Sequence, residues 1–142
     1  MRKSFFVLAI ASMLASCSSN NATVGDITNI VTSGNWKVSY YNDSGTDETY
    51  HFTGYTFVFG PNGVLTASNG TNNYTGTWSV TDSNSNDDSL SDLDFNISFS
   101  TPDEFEDLSD DWDIKSYSST KIELEDVSGG GSGTDLLTFE KI

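Results

Sequence analysis

The chain is poor in cysteine, histidine and cations, and each shortage excludes a class of protein. Among its 142 residues, one is cysteine and one is histidine, and six Lys and Arg stand against 21 Asp and Glu, for a formal net charge of −15. A single cysteine forms no internal disulfide, and one histidine without free thiols makes a poor zinc site. Nucleic-acid binding depends on cationic contacts to phosphate, so we expect none here.

Residue combinations typical of catalysis are also scarce. A Ser–His–acid triad would have to use His51, which lies between Tyr50 and Phe52 in a predicted strand, with no Gly-x-Ser-x-Gly elbow nearby. With 21 acidic residues, some carboxylate pair will reach the separation that glycosidases use, so such a pair carries no information. We expect no enzymatic activity and no cofactor.

Two acidic stretches raise the question of calcium. Residues 82–88 alternate oxygen-bearing side chains as an EF-hand loop does, but Asp87 occupies the glycine position and Leu93 the position of the bidentate glutamate. The second group comprises Asp103, Glu104, Asp110 and Asp111. A solvated acidic surface is the simpler interpretation of both, and we predict no metal site. A looser calcium site stays open as the alternative.

The first residues have the order of an export signal. Two basic residues at 2–3 precede an apolar stretch at 5–11, and small residues follow just before Cys17. The apolar stretch is too short to span a bilayer, which takes about 20 residues. We therefore predict a signal peptide at residues 1–16.

The sequence Leu-Ala-Ser-Cys at residues 14–17 resembles the lipobox of bacterial lipoproteins. The resemblance implies that Cys17 is acylated, with chains such as palmitate, and becomes the N-terminus of the mature protein. That mature chain has four lysines against 21 acidic residues. Anionic headgroups would repel it, so membrane attachment would depend on the acyl chains. Ser18 stands where an aspartate often signals inner-membrane retention, which favours the outer membrane. An ordinary cleaved signal is the alternative.

Beyond the signal we predict a flexible tether at residues 17–25 and one domain, monomeric, at residues 26–142. The domain starts with a short helix over 26–34, with Asp26 as its N-cap and Gly34 as its C-terminal stop. Its apolar residues have the i, i+3, i+4 spacing of a helix: Ile27, Ile30 and Val31.

From Trp36 onward, apolar residues alternate with polar ones, and turn residues are frequent. The pattern predicts eight strands: 36–41, 48–59, 64–68, 73–80, 92–100, 112–117, 120–126 and 135–141. The connection at 102–110 carries Phe105 and Leu108 on one helical turn, and residues 129–133 form a glycine-rich loop. Sequential strands of this kind favour an all-β, eight-stranded antiparallel up-and-down barrel. A two-sheet sandwich shows the same alternation and stays open.

A short helix followed by Gly34-Asn35-Trp36 at the start of such a meander resembles the lipocalins. The resemblance implies that Trp36 closes one end of the barrel beneath the helix. The order Gly54 to Phe59, Gly63, Gly76-Thr77-Trp78 and a final strand with Leu136 to Phe139 is similar to small bacterial lipocalin-like lipoproteins. The arginine that often packs over the tryptophan in the family is missing, because no arginine follows residue 2.

Aromatic residues are the most informative remaining feature. We predict that the inner face carries a pocket for a small hydrophobic ligand, lined by Trp36, Tyr40, Tyr55, Phe57, Trp78, Phe95 and Ile97. The alternative is that these side chains fill a small barrel as ordinary core. The protein would then be a non-enzymatic structural or interaction module of the cell envelope that binds protein or glycan through its surface.

Overall fold

Residues 21–127 and 133–142 are described by the computed structural model. The predicted signal peptide, Cys17 and the first part of the predicted tether lie outside these residues, as does most of the glycine-rich loop. The described elements are α1 (Val24–Val31), β1 (Trp36–Asp43), β2 (Thr46–Asp47), β3 (Thr56–Phe59), β4 (Val64–Ser68), β5 (Asn73–Asp82), β6 (Leu93–Ser98), α2 (Asp103–Glu106), β7 (Asp110–Tyr117), β8 (Lys121–Val127) and β9 (Thr134–Lys141), with 3₁₀ turns at Thr49–Phe52 and Leu90–Asp92.

Eight antiparallel strands close into a barrel. Neighbouring strands pair in chain order from β3 to β9, and β1 pairs with both β3 and β9. Pairing of the first strand with the last removes the free edges that a sheet would otherwise expose. The predicted barrel is therefore confirmed, and the sandwich alternative is wrong. No helix within the described residues has the length and apolar character that a membrane crossing requires.

The second predicted strand, 48–59, is wrong over its first half. Residues Thr49–Phe52 form a 3₁₀ turn, and only Thr56–Phe59 is a strand. Gly54 has a φ of +83°, a value that ends an extended segment and suits glycine. Phe52 in this turn is buried, and its ring contacts that of Tyr41 on β1 with centroids 5.4 Å apart. The strands β1 and β3 themselves pair only at Trp36 and Phe57. His51 thus lies in a turn, 3.9 Å from Glu48.

The helix α1 starts two residues earlier than predicted. Thr23, not Asp26, is its N-cap, and the two side chains form a reciprocal capping box. Residues 21–25 are also tied to the barrel, because Ala22 is buried and donates its backbone N–H to Asp88, and Asn21 pairs with Ser89. The folded unit therefore includes residues 21–25, which the sequence analysis assigned to a tether.

The two ends of the barrel are closed differently. Since the strands alternate in direction, α1 and the β5–β6 connection lie at one end, the α1 end. The β1–β3 and β6–β7 connections lie at the other, the α2 end. Ile27 and Val31 of α1 are buried at the first end, and Phe105 and Leu108 of the β6–β7 connection are buried at the second. Both ends of the barrel are thus covered by apolar side chains.

Candidate functional site

Aromatic rings run through the interior of the barrel in mutual contact. From the α2 end toward the middle, Phe105 stacks on Phe57 with ring centroids 5.9 Å apart, and Phe57 meets Phe139 at 5.3 Å. Phe139 contacts Phe59 at 5.3 Å, and Phe59 contacts Phe95 at 5.6 Å. Edge-to-face and offset pairs at these separations are favourable in addition to their burial. The rings occupy the space in which a ligand of an eight-stranded barrel would lie.

Phe105 is the side chain that fills the α2 end. Its ring contacts those of five other residues at centroid distances from 4.9 to 5.9 Å: Phe52, Tyr55, Phe57, Tyr74 and Phe99. The side chain is 2% exposed. A four-residue helix, α2, carries it, and the neighbouring Leu108 accepts a hydrogen bond from the Trp112 indole at 3.0 Å. Phe105 therefore closes the barrel interior at the α2 end.

Trp36 closes the α1 end, as the lipocalin resemblance implies. It is fully buried, and its indole N–H donates to the carbonyl of Val31 in α1 at 2.9 Å. The Nζ atom of Lys141 lies 5.0 Å from the centroid of the Trp36 ring, within cation–π range. Lys141 of the last strand thus places a cation beside Trp36, in a chain that has no arginine after residue 2.

Five more of the seven predicted ligand-binding residues also face the interior. Phe57 and Phe95 are fully buried, and Tyr55, Trp78 and Ile97 are 9% exposed or less. Their polar atoms are satisfied by the barrel itself. The Trp78 indole donates to the Gly60 carbonyl at 2.9 Å, and the Tyr55 hydroxyl accepts from the Asn72 amide at 3.2 Å. In this structure these five side chains are part of the hydrophobic core.

The prediction that Tyr40 faces the interior is wrong. The β1–β9 register shifts between Val38 and Tyr40, a β-bulge at Ser39. A bulge inserts one extra residue and so reverses the alternation of faces beyond it. Tyr41 consequently points inward, where its hydroxyl donates to the Asp107 carbonyl at 3.1 Å, and Tyr40 lies on the outer face, 37% exposed.

Two of the clefts on the outer surface are lined by described residues. One, of about 210 Å³, is lined by Tyr40, Lys115, Glu123, Leu124, Leu136 and Thr138. The other, of about 250 Å³, is lined by Ser89, Leu90, Ser91, Ile114 and Lys115. Lys115 lines both of them, and both open to solvent. We call the first the outer cleft.

Sequence reasoning missed three residues that organise the barrel ends: Tyr41, Phe105 and Lys141. Phe105 was predicted on a helical turn but not as part of the interior, because a residue in a connection gives no strand alternation that points it inward. Lys141 lies 105 positions from Trp36, so only strand pairing reveals their contact. Tyr41 differs from Tyr40 by one position, and a bulge decides between them.

Charge is distributed unevenly over the outer surface. The four lysines of the described residues belong to β1, β7, β8 and β9: Lys37, Lys115, Lys121 and Lys141.

Burial, together with Asp111 and Asp126, raises the pKa of Asp110 to about 6. Burial and neighbouring acids also raise the pKa of Asp107 and Asp113. The acidic surface near the α2 end is therefore under like-charge repulsion at neutral pH.

Within residues 21–127 and 133–142, no three His, Cys, Asp or Glu side chains are arranged to hold a metal ion. The acidic loop is instead organised by its own turns. Asp82 accepts the backbone N–H of Asn84 at 2.8 Å, and the Asn84 amide donates to Asp87 at 3.2 Å. The first is an Asx-type hydrogen bond between side chain and backbone, the second joins two side chains, and both shape the loop.

The raised pKa of Asp110 predicts a stability that increases as the pH falls. An unfolded aspartate has a pKa of about 3.9, so the folded state binds the proton at a higher pH than the unfolded state does. The free energy of unfolding therefore rises as the pH falls from 7 to 4. Asp110→Asn, which keeps the oxygen that accepts from Asp111 N–H at 2.8 Å, should raise the free energy of unfolding at pH 7 by up to about 1 kcal/mol after allowance for solvent screening. Its effect should be much smaller at pH 4.

Thermal melts followed by circular dichroism at the two pH values measure this effect. Asp88→Asn, which removes an equal charge from an exposed loop, is the control for the change in net charge. A variant at Asp110 that keeps the wild-type pH dependence would refute the assignment.

The eight-stranded antiparallel barrel with a helix before its first strand is consistent with a lipocalin-like fold. No family model, curated protein or solved structure matches the chain.

Proposed function

We propose that the chain is a lipid-anchored protein of the bacterial cell envelope, similar to lipocalin-like lipoproteins, whose filled barrel serves as a scaffold and binds its partner on the outer surface. The observation that carries the proposal is the position of Phe105, which occupies the α2 end and touches five other aromatic rings. A small hydrophobic molecule would have to displace a ring whose burial contributes about 2–3 kcal/mol.

The anchor in this proposal is Cys17 with its acyl chains, and the location is the outer membrane. Support comes from the order of charge, apolar stretch and Leu-Ala-Ser-Cys at residues 1–17. Two or more acyl chains provide the stable attachment that one chain does not. The proposed protein is a monomer without enzymatic activity, cofactor or nucleic-acid partner.

A second candidate function is transport or storage of a small hydrophobic ligand inside the barrel. One observation favours it: Phe105 belongs to α2, whose N-cap residue, Pro102, makes no side-chain capping hydrogen bond. A short helix of this kind has little stability of its own. Displacement of α2 would expose the rings of Phe57, Tyr55 and Phe99. A hydrophobic ligand could then bind in the space that Phe105 occupies.

Native mass spectrometry of the full chain, extracted in detergent from a bacterial host, separates the two candidates and tests the anchor. We expect a mature protein that starts at Cys17, carries the mass of its acyl chains and has no further ligand. Cys17→Ala should lose the acyl mass. A mass difference no larger than the one sulfur atom lost in the Cys17→Ala exchange would refute the anchor. A stoichiometric hydrophobic molecule bound to both proteins would instead support the ligand carrier.

A further inference from the structure

Two β-bulges flank the outer cleft and shape its walls. The bulge at Ser39 turns Tyr40 outward on β1, and a second register shift, between Ile114 and Ser116, makes Lys115 an extra residue on β7. Bulges commonly re-aim side chains beside functional sites. Here the two lie on either side of the pair β8–β9. The cleft is thus formed by departures from regular strand geometry on both of its sides.

Strand register places the residues in and around the cleft in two adjacent rows across four strands. In the first row Ser116 pairs with Glu123, Glu123 with Thr138, and Thr138 with Tyr40. In the second row Asp113 pairs with Glu125, Glu125 with Leu136, and Leu136 with Asn42. Neighbouring strands are about 4.8 Å apart, so Tyr40 and Ser116 lie about 14 Å from each other. Thr138, 9% exposed, lies at the bottom.

Polar groups in the outer cleft are held in fixed orientations. The Glu123 carboxylate accepts from Lys121 Nζ at 2.8 Å and from the Ser116 hydroxyl at 2.7 Å. These two partners lower the pKa of Glu123, which keeps it an ionised acceptor. Lys115 Nζ lies 3.1 Å from Glu125. The cleft therefore offers a carboxylate acceptor and an ammonium donor opposite a tyrosine ring.

The combination narrows the class of ligand. A chain of formal charge −15 whose cleft includes Glu123 disfavours an anion. Each glutamate is already paired with a lysine, Glu125 with Lys115 and Glu123 with Lys121, so a cation would gain little electrostatic attraction. A volume of about 210 Å³, below the usual range of pockets that enclose a small organic ligand, is too small for a lipid tail, and the wall includes the charged Lys115 and Glu123. A compact neutral molecule with an apolar face and several hydroxyl groups fits best.

We propose that the outer cleft binds one unit of a neutral saccharide, with the C–H face of the sugar on the Tyr40 ring and its hydroxyl groups hydrogen-bonded to Glu123 and Lys115. This inference rests on the proposed function, since it names the ligand class of the outer surface. Glu123 accepts from a sugar hydroxyl, Lys115 donates to a ring or hydroxyl oxygen, and Leu136 covers the remaining apolar edge.

Saturation-transfer difference NMR on the full lipoprotein tests the inference, in a detergent without a sugar headgroup. The probes are methyl glucoside, methyl N-acetylglucosaminide, and the linear tetrasaccharides of each sugar, with glucuronic acid as the anionic control. We expect transfer to at least one neutral sugar and none to glucuronic acid. Stronger transfer to a tetrasaccharide than to its monosaccharide identifies a polymer as the source, and equal transfer identifies a free sugar.

Tyr40→Ala should weaken binding about tenfold, which corresponds to about 1.4 kcal/mol, and Tyr40→Phe should retain it. Tyr50→Ala removes a ring that is 66% exposed near the α2 end, and it should bind as the wild type does. Far-ultraviolet circular dichroism verifies that each variant is folded. Absence of transfer to every neutral sugar, or equal binding by Tyr40→Ala, would overturn the inference. The filled scaffold would survive that result, because native mass spectrometry tests it independently.

Discussion

Phe105→Ala is expected to lower the free energy of unfolding by about 3–5 kcal/mol, the usual cost of removing a buried aromatic ring. The ring is 2% exposed and contacts five other aromatic rings at the α2 end. Alanine at this position loses the transfer free energy of the ring and leaves a cavity beside Phe57, which rigid strands cannot fully close. Urea denaturation followed by tryptophan fluorescence measures the loss.

The same substitution should create a binding site that the wild type lacks. An apolar cavity of this kind stays dry and accepts small apolar molecules. We expect the hydrophobic dye N-phenyl-1-naphthylamine to fluoresce with Phe105→Ala under native conditions and not with the wild type. Phe105→Leu, which refills most of the volume, is the matched control and should bind the dye weakly. Equal dye binding by the wild type would show that its barrel is already accessible and favour the ligand carrier.

Gly76→Ala is expected to destabilise the barrel by about 3 kcal/mol or more, or to prevent folding. Gly76 lies on the inner face of β5, and a Cβ atom there would overlap the carbonyl oxygen of Ser98 and lie 2.8 Å from Cδ1 of Phe99. The Ser98 carbonyl is backbone of a paired strand, so it cannot move without breaking the β5–β6 ladder. Overpacking that displaces backbone costs at least the upper part of the range seen for added methyl groups.

Gly25→Ala is the matched control for this substitution. Gly25 lies in the first turn of α1, where a Cβ would meet its nearest neighbour, Thr23 Oγ1, at 3.6 Å, an ordinary contact. Alanine should stabilise the helix there by about 0.5–1 kcal/mol. Thermal melts of the two variants should therefore shift in opposite directions. A Gly76→Ala protein as stable as the wild type would show that β5 and β6 are farther apart than described.

Strand alternation was sufficient to predict most of the strands, because a half-buried strand must place apolar residues at every second position, whereas the pairing of β1 with β9 distinguishes the barrel from a sandwich. Leu93, Phe95, Ile97 and Phe99 follow this rule and are all buried. The rule fails where an extra residue enters. Tyr40 and Tyr41 are both aromatic, so alternation cannot tell which one faces inward. Their assignment depends on the bulge in the pairing with β9, a strand almost a hundred residues away.

The misplaced start of the helix and the wrong first half of the second strand have different causes, one local and one tertiary. The sequence Thr23-x-x-Asp26 is a capping box, which places the start of the helix at Val24, whereas Asp26 alone suggested a later start. The segment Thr49–Phe52 has the aromatic content of a strand but folds as a 3₁₀ turn. Its conformation is set by the buried position of Phe52 against Tyr41 and Phe105, a tertiary effect that local propensity does not contain.

The outer cleft was beyond sequence reasoning for a different reason. Its lining combines residues of β1, β7, β8 and β9, and two of its walls exist because of bulges. The positions of bulges follow from the closure of the whole sheet, so no single segment encodes them. The residues of the filled interior, in contrast, are mostly visible from their alternation along each strand.

The attachment of Asn21 to the barrel determines how an acylated protein would stand on its membrane. Asn21 pairs with Ser89, and its carbonyl accepts from the Tyr117 hydroxyl at 2.9 Å. Cys17 is four residues away, a span of at most about 14 Å. In such an acylated protein the α1 end would rest close to the lipid headgroups, and Phe105 at the far end would point away from them. Ile142, whose N–H donates to Asn35, is held near the same surface, so an affinity tag is better inserted at the Asn69–Asn72 turn than at the C-terminus.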